Sequence, residues 1–107
     1  MEAGNPRWLR DYAGRRIRLT EERWSHILEH PEMRGQLRKL QTALREPVLV
    51  LASRLDPSVH MYFRLYQRTP LGRKYLTVAV KLNRDDAFVV TAFFTGEPKG
   101  ASQVWPR

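Results

Sequence analysis

At Pro47 the periodicity of the chain changes, and no other feature limits the fold as much. Upstream, Met33, Leu37, Leu40 and Leu44 recur at spacings of four, three and four, the stripe of an amphipathic helix. Downstream the period drops to two. Residues 48–53 (VLVLAS), 60–68, 74–83 (KYLTVAVKLN) and 87–96 (AFVVTAFFTG) read as strands, joined by RLDPSV, TPLG and RDD. Those links carry turn residues and are too short for a crossover, so successive strands are expected to run antiparallel as a meander.

A further helix is expected in TEERWSHILEH. Thr20 is a suitable N-cap, Glu21 and Glu22 suit the positive end of the helix dipole, and Trp24, Ile27 and Leu28 share a stripe. Pro31 ends it by disfavouring helical geometry at His30. The expected fold class is therefore α+β, two N-terminal helices packed on one face of a four-stranded antiparallel sheet. Within the 107 residues, 1–15 are expected as a flexible lead-in broken by Gly4, Pro6 and Gly14, and 16–107 as one domain. RRIRLT is expected as a short extended piece, and the tail EPKGASQVWPR as irregular chain pinned by Trp105.

Alternation along VHMYFRLYQR separates Met61, Phe63 and Leu65 from His60, Tyr62, Arg64, Tyr66 and Arg68. Hydropathy assigns the first set to the core, together with Leu76, Val78 and Val80 and with Phe88, Val90, Ala92 and Phe94. The opposite parity then forms an exposed face of cations, rings and hydroxyls: His60, Tyr62, Arg64, Tyr66, Arg68, Tyr75, Thr77, Lys81, Asn83, Thr91 and Thr95. A register slip of one residue would exchange the two faces.

That face matters because the chain is basic. Nineteen Lys and Arg against eleven Asp and Glu give a formal net charge of +8 and an isoelectric point near 10.6. Arginine dominates, and its planar fork suits phosphate oxygens and stacks on rings. An anionic partner, foremost nucleic acid, is expected, with plain solubility as the other reading. The chain has no cysteine, which excludes disulfides, thiolate metal sites and cysteine nucleophiles. Its apolar runs are strand-sized and no secretory pattern opens it, so no membrane association and a cytoplasmic location are expected. No Gly-rich phosphate loop, paired-carboxylate motif or nucleophile elbow occurs, and no cofactor is expected.

Three blocks, RIRLTEERWSHILEHPEM, DPSVHMYFRLYQRTPLGRKYLTVAVK and DAFVVTAFFTGEPK with a closing VW, together resemble the phage-type nuclease-like branch of the barnase, EndoU, colicin and RelE-like fold. The resemblance spans residues 16–106. It implies helices followed by a four-stranded antiparallel sheet whose open face handles RNA, a metal-independent ribonuclease or toxin activity, and often a cognate inhibitor. Its recurrent polar positions fall on His30, Ser53, Asp56, Tyr62, Arg64, Lys74, Lys81, Thr91, Thr95 and Lys99. This chain departs from it at Phe63 and Phe93, where Tyr is usual, and in the GEP before Lys99.

Metal-independent RNA cleavage needs a base for the 2'-hydroxyl, a cation for the phosphate oxygens and an acid for the leaving 5'-oxygen. Arg64 and Lys81 are the expected phosphate cations, and Thr91 and Thr95 would orient a phosphate oxygen or a water. His60 or His30 would move protons. Tyr62 or Tyr66 would stack on a base, and Arg68, Lys74 and Lys99 would hold the backbone. The plainer readings are that His30 satisfies a helix C-terminus, that Asp56 before Pro57 makes a turn, and that Trp24 is core. His26 and His30 sit four apart on one helix side, with Glu29 off to the other and no third ligand, so no metal is expected. The sequence is thus read as a toxin-like metal-independent endoribonuclease whose expected partners are RNA and a cognate antitoxin or inhibitor protein. The alternative is a non-catalytic nucleic-acid-binding or antitoxin-docking module.

Overall fold

Thr20 starts the first helix through its side chain, which accepts a hydrogen bond from the Arg23 amide at 3.1 Å. The computed structural model describes residues 7–107, and in it this helix, α1, spans Glu21–Ile27. A 3-10 turn at Pro31–Met33 follows. The second helix, α2, covers Leu37–Arg45, shorter than the stripe from Met33 implies, because Gly35 takes a positive φ of 76° and breaks the backbone there. Leu40 and Leu44 still reach the core, and Met33 reaches it from the 3-10 turn.

The four expected strands are present as β3 (Leu49–Ala52), β4 (Val59–Tyr66), β5 (Lys74–Asn83) and β6 (Asp86–Thr95). They pair as an antiparallel meander. The sheet is larger than expected, however. Strand β1 (Arg7–Arg10) and strand β2 (Arg16–Leu19) form a hairpin whose second strand pairs in parallel with β6, and β7 (Gln103–Trp105) pairs with β3. The result is a mixed seven-stranded open sheet ordered β1-β2-β6-β5-β4-β3-β7, not a four-stranded antiparallel one. Residues 7–15 of the expected lead-in therefore belong to the sheet and its first turn, while 1–6 lie outside the described residues.

Both helices lie on one side, α1 against β6 and α2 against β5, β4 and β1. Directly opposed residues in a ladder share a face. Tyr62 opposes Val78, which opposes Ala92, and all three are buried with Ile27, Leu40 and Leu44. The helix-covered face thus carries Leu76, Val78 and Val80 of β5 and Ala92 and Phe94 of β6, as hydropathy predicts. On β4 the expectation is inverted: His60, Tyr62, Arg64 and Tyr66 point toward the helices, and Met61, Phe63 and Leu65 lie on the far face. On β6 the alternation is interrupted, since Ala79 opposes Thr91 while Val80 opposes Val89. Val90 is the extra residue of a bulge, which shifts the parity and puts Val89, not Phe88 or Val90, in the core.

Residues 96–102 connect β6 to β7 and must cross β5, β4 and β3 to do so. They pass over the face without helices. Gly100 is the tightest point of the crossing: a Cβ there would lie 2.7 Å from the Leu51 Cβ and 2.9 Å from the Ala52 carbonyl oxygen. Two backbone hydrogen bonds fix it, Ala52 N to Ser102 O at 2.9 Å and Ala101 N to Ala52 O at 2.8 Å. The radius of gyration, 13.0 Å, matches the roughly 13 Å expected for a compact chain of this length. No helix among the described residues is long and apolar enough to cross a membrane.

Candidate nucleic-acid interface

The face away from the helices is assembled from the odd-numbered residues of β3, β4 and β5 and, past the bulge, of β6. Across its centre runs one row, Leu49, Phe63, Thr77 and Phe93, with Leu51, Met61, Ala79 and Thr91 in the next and Leu65, Tyr75 and Thr95 on the other side. The crossing strap roofs part of this surface. Phe63 and Thr77 are each only 1% exposed although no helix touches them.

Between strap and sheet lie two adjoining cavities. The larger, about 520 Å³, is lined by Leu51, Ser53, Arg54, Leu55, Met61, Pro98, Lys99 and Gly100. The smaller, about 170 Å³, has Met61, Phe63, Thr77, Phe93, Thr95, Glu97 and Lys99 around it. Met61 and Lys99 border both, so the two form one groove with a basic mouth and an aromatic floor. Arg54 Nε donates to the Gly100 carbonyl at 3.1 Å, which ties the mouth to the strap.

Lys81 shares this face, beside Val59 and Phe88, but its ammonium is engaged: Nζ lies 2.5 Å from Asp56 Oδ2. Asp56 Oδ1 accepts from the Ser58 amide at 3.0 Å and hydroxyl at 2.6 Å, the turn that Asp-Pro predicts. Lys81 and then Ser58 hold the Asp56 carboxyl down at about 2. An acid that strong is a poor base near neutral pH, so the pair acts as a clamp between the β3–β4 loop and β5.

The other expected site residues separate. Thr91, Thr95 and Lys99 lie on the strap side with Lys81. Arg64, His60, Tyr62 and Tyr66 lie on the helix side, through the sheet from Lys81, so the proposed pairing of Arg64 and Lys81 on one phosphate does not form. Three of these β4 side chains, Tyr62, Arg64 and Tyr66, join sheet to helix or turn, whereas His60 Nδ1 is buried without a partner. Arg64 Nη1 donates to the carbonyl of Glu46, the α2 C-cap, at 2.6 Å, where a cation also suits the helix dipole. The Tyr66 hydroxyl donates to the Lys39 carbonyl at 3.2 Å, and burial pushes its acidity down. Neither tyrosine is placed to stack on a base at the groove.

Lys74 opposes Tyr66 and shares its side. Arg68 follows β4, and its carbonyl accepts from Lys39 Nζ at 3.3 Å. His30 caps the 3-10 turn on the helix layer, with Nδ1 3.8 Å from Glu32 Oε1. Glu29 does not turn away from His26: its Oε2 is 3.3 Å from His26 Nδ1. No histidine reaches the groove.

Sequence reasoning missed a buried polar cluster on the helix side. The Asp11 side chain is fully enclosed. Its Oδ1 accepts from the amides of Ala13 and Arg15, both at 2.9 Å. Its Oδ2 takes Arg15 Nε at 2.9 Å and the Tyr62 hydroxyl at 2.6 Å. Burial, reinforced by Asp11, raises the Tyr62 pKa far above that of a free phenol. His60 borders the cluster; burial first and Arg15 second lower its pKa, against the opposing pull of Asp11. Tyr12 bridges from Tyr62 to Trp105, with ring centroids 5.9 and 5.0 Å away. Nothing local announces this arrangement, since Tyr62 lies 51 residues from Asp11.

Comparisons of the chain with known protein families, with curated proteins and with solved structures return no match. The chemistry of the groove must therefore speak for itself: cations at one end, hydroxyls along one side and apolar rings beneath.

Proposed function

We propose that this protein binds single-stranded RNA in the groove between strap and sheet. The observation that carries the reading is the convergence of Arg54 and Lys99 on a concavity that continues to the half-buried ring of Phe93. Cations that follow a backbone and rings that receive bases are the two components of single-strand recognition. The formal charge of +8 supports it by favouring a polyanion, and the resemblance to the nuclease-like branch, whose open sheet face handles RNA, agrees with it although its positions His30, Tyr62, Arg64 and Lys74 fall on the helix side.

Metal-independent endoribonuclease activity of the toxin-like kind is the second reading. It is favoured by the placement of Thr91, Thr95 and Lys99 on the groove side, where ammonium and hydroxyl groups can stabilise phosphate oxygens, while Lys81 on the same face is held by Asp56. Since all three histidines lie elsewhere, proton transfer there would fall to Tyr75, to a lysine or to water. An antitoxin, in this reading, would be an acidic protein that occupies the groove.

Purified protein is to be titrated into labelled single-stranded RNA over a range of salt, then incubated with total RNA and tRNA with and without a chelator. Binding is expected to weaken steeply with salt, with a log–log slope reduced by about 0.7 for each phosphate contact removed. Arg54→Ala with Lys99→Ala should remove about two such contacts. Salt-insensitive or absent binding overturns the proposal. Cleavage that survives chelation and is lost in the double variant establishes the second reading, and intact RNA under tight binding removes it.

A further inference from the structure

Thr77 sits at the centre of the far face with Phe63 on one side and Phe93 on the other. Its Oγ1 is buried without any hydrogen-bond partner, an arrangement that costs stability and calls for an explanation. The cavity above it is small, about 170 Å³, and its lining is mostly apolar, from Met61, Phe63 and Phe93. That is well below the roughly 300 Å³ at which pockets for drug-sized ligands begin, so a single ring system fits its scale. A phosphate does not suit it: Lys99 is balanced by Glu97 at the same rim, and the floor offers carbon. The cationic mouth, with Arg54, lies in the adjoining cavity instead.

We propose that the smaller cavity is a nucleobase pocket, in which a base of the bound strand lies against Phe93 and Met61 with its polar edge toward the Thr77 hydroxyl. The inference rests on the RNA-binding reading and assigns the two halves of the groove different tasks. Lys99 and Arg54 hold the sugar-phosphate chain at the mouth. Thr77 supplies the hydrogen bond that an apolar floor lacks, and Thr95 lies on the rim where the ribose would enter. Glu97 keeps phosphate from sliding into the ring's place. The unpaired hydroxyl is then the residue of a site whose partner arrives with the ligand.

The test compares single-stranded RNA with an abasic oligonucleotide of the same length and charge, by anisotropy, for the parent protein, Phe93→Ala and Thr77→Val. The parent is expected to bind RNA roughly 5- to 150-fold more tightly than the abasic strand, the range of one base-stacking contact. Phe93→Ala should abolish most of that ratio, and Thr77→Val should reduce it, with the salt slope unchanged in both. Thr77→Val keeps the shape of the side chain, so it reports even if Phe93→Ala fails to fold. Equal binding of both strands with a strong salt slope overturns the base pocket while leaving RNA binding intact. Discrimination that persists in Thr77→Val and Phe93→Ala places the bases elsewhere and also overturns it. Binding of neither strand overturns the RNA reading and the pocket with it.

Discussion

Tyr62 shows how one oxygen can decide which way a strand faces. Its ring is buried among Val50, Val78 and Ala92, and its hydroxyl completes the shell of Asp11 at 2.6 Å. Tyr62→Phe keeps the ring and withdraws the donor from an enclosed carboxylate. Hydrogen bonds to charged groups are worth about 1.5–3 kcal/mol, and that loss is expected in urea unfolding. Thr77 presents the opposite case, a buried hydroxyl with no partner. Thr77→Val removes an unsatisfied group without opening a cavity, so the protein should gain about 1 kcal/mol. A gain in stability together with a loss of base discrimination is the signature of a group kept for binding. A loss of stability would mean that the hydroxyl is paired in solution.

At the scale of elements, the strap is set by Gly100. A methyl at this position meets the Leu51 Cβ and the Ala52 carbonyl, neither of which is a flexible side-chain end, so the crossing itself must lift. Gly100→Ala is expected to cost about 1–3 kcal/mol, as overpacking does, and to weaken RNA binding because Lys99 moves with the strap. A thermal melt alongside the RNA titration checks both. The long elements were legible because each repeats its period often enough: α1 with its Thr20 cap, and β4, β5 and β6 at eight to ten residues each. Strands β1 and β7, at four and three residues, are too short for alternation to register and owe their existence to their partners. The bulge at Val90 was hidden because FVVTAFF is apolar on both parities. The face of β4 was misjudged for a physical reason: long amphipathic side chains bury their stems while their tips find carbonyls, and the strap supplies Met61 and Phe63 with cover from the other side. Of the candidate site, Lys81, Thr91 and Thr95 lie away from the helices, as period alone placed them, whereas Arg64, His60, Tyr62 and Tyr66 followed the inverted strand and Lys99, in the tail, had no period to place it. Arg54 and Thr77 became candidates only when the strap showed where the groove runs.

For the whole molecule, acid should reveal the two clusters in turn. The pKa of His60 is lowered in the fold by burial and by Arg15, with Asp11 opposing, so the folded state favours neutral imidazole. Between the folded value and the roughly 6.5 of an unfolded histidine the unfolded chain binds more protons, and stability rises with pH there. This contribution is complete above about 6.5 and fades as pH falls through the folded pKa. The carboxyl of Asp56, held at about 2 by Lys81 and Ser58, acts in a lower window. Its contribution is present above the roughly 3.9 of a free aspartate and is lost as pH falls toward the folded value. Both limbs slope the same way, and they add to the self-repulsion of a chain that already carries +8. The melting temperature is therefore expected to decline in two stages on acidification. His60→Gln, which cannot titrate, should flatten the upper stage alone, and Lys81→Met should flatten the lower alone, because Asp56 then loses the cation that holds its proton off. A single steep decline, unchanged by either substitution, would locate the acid sensitivity outside both clusters. The upper window also bears on binding: protonating His60 puts charge beside Arg15 on the helix side, away from the groove. RNA affinity should therefore stay level between pH 7 and 5.5 for as long as the fold holds, and a rise in affinity that disappears in His60→Gln would place the RNA on the helix side instead.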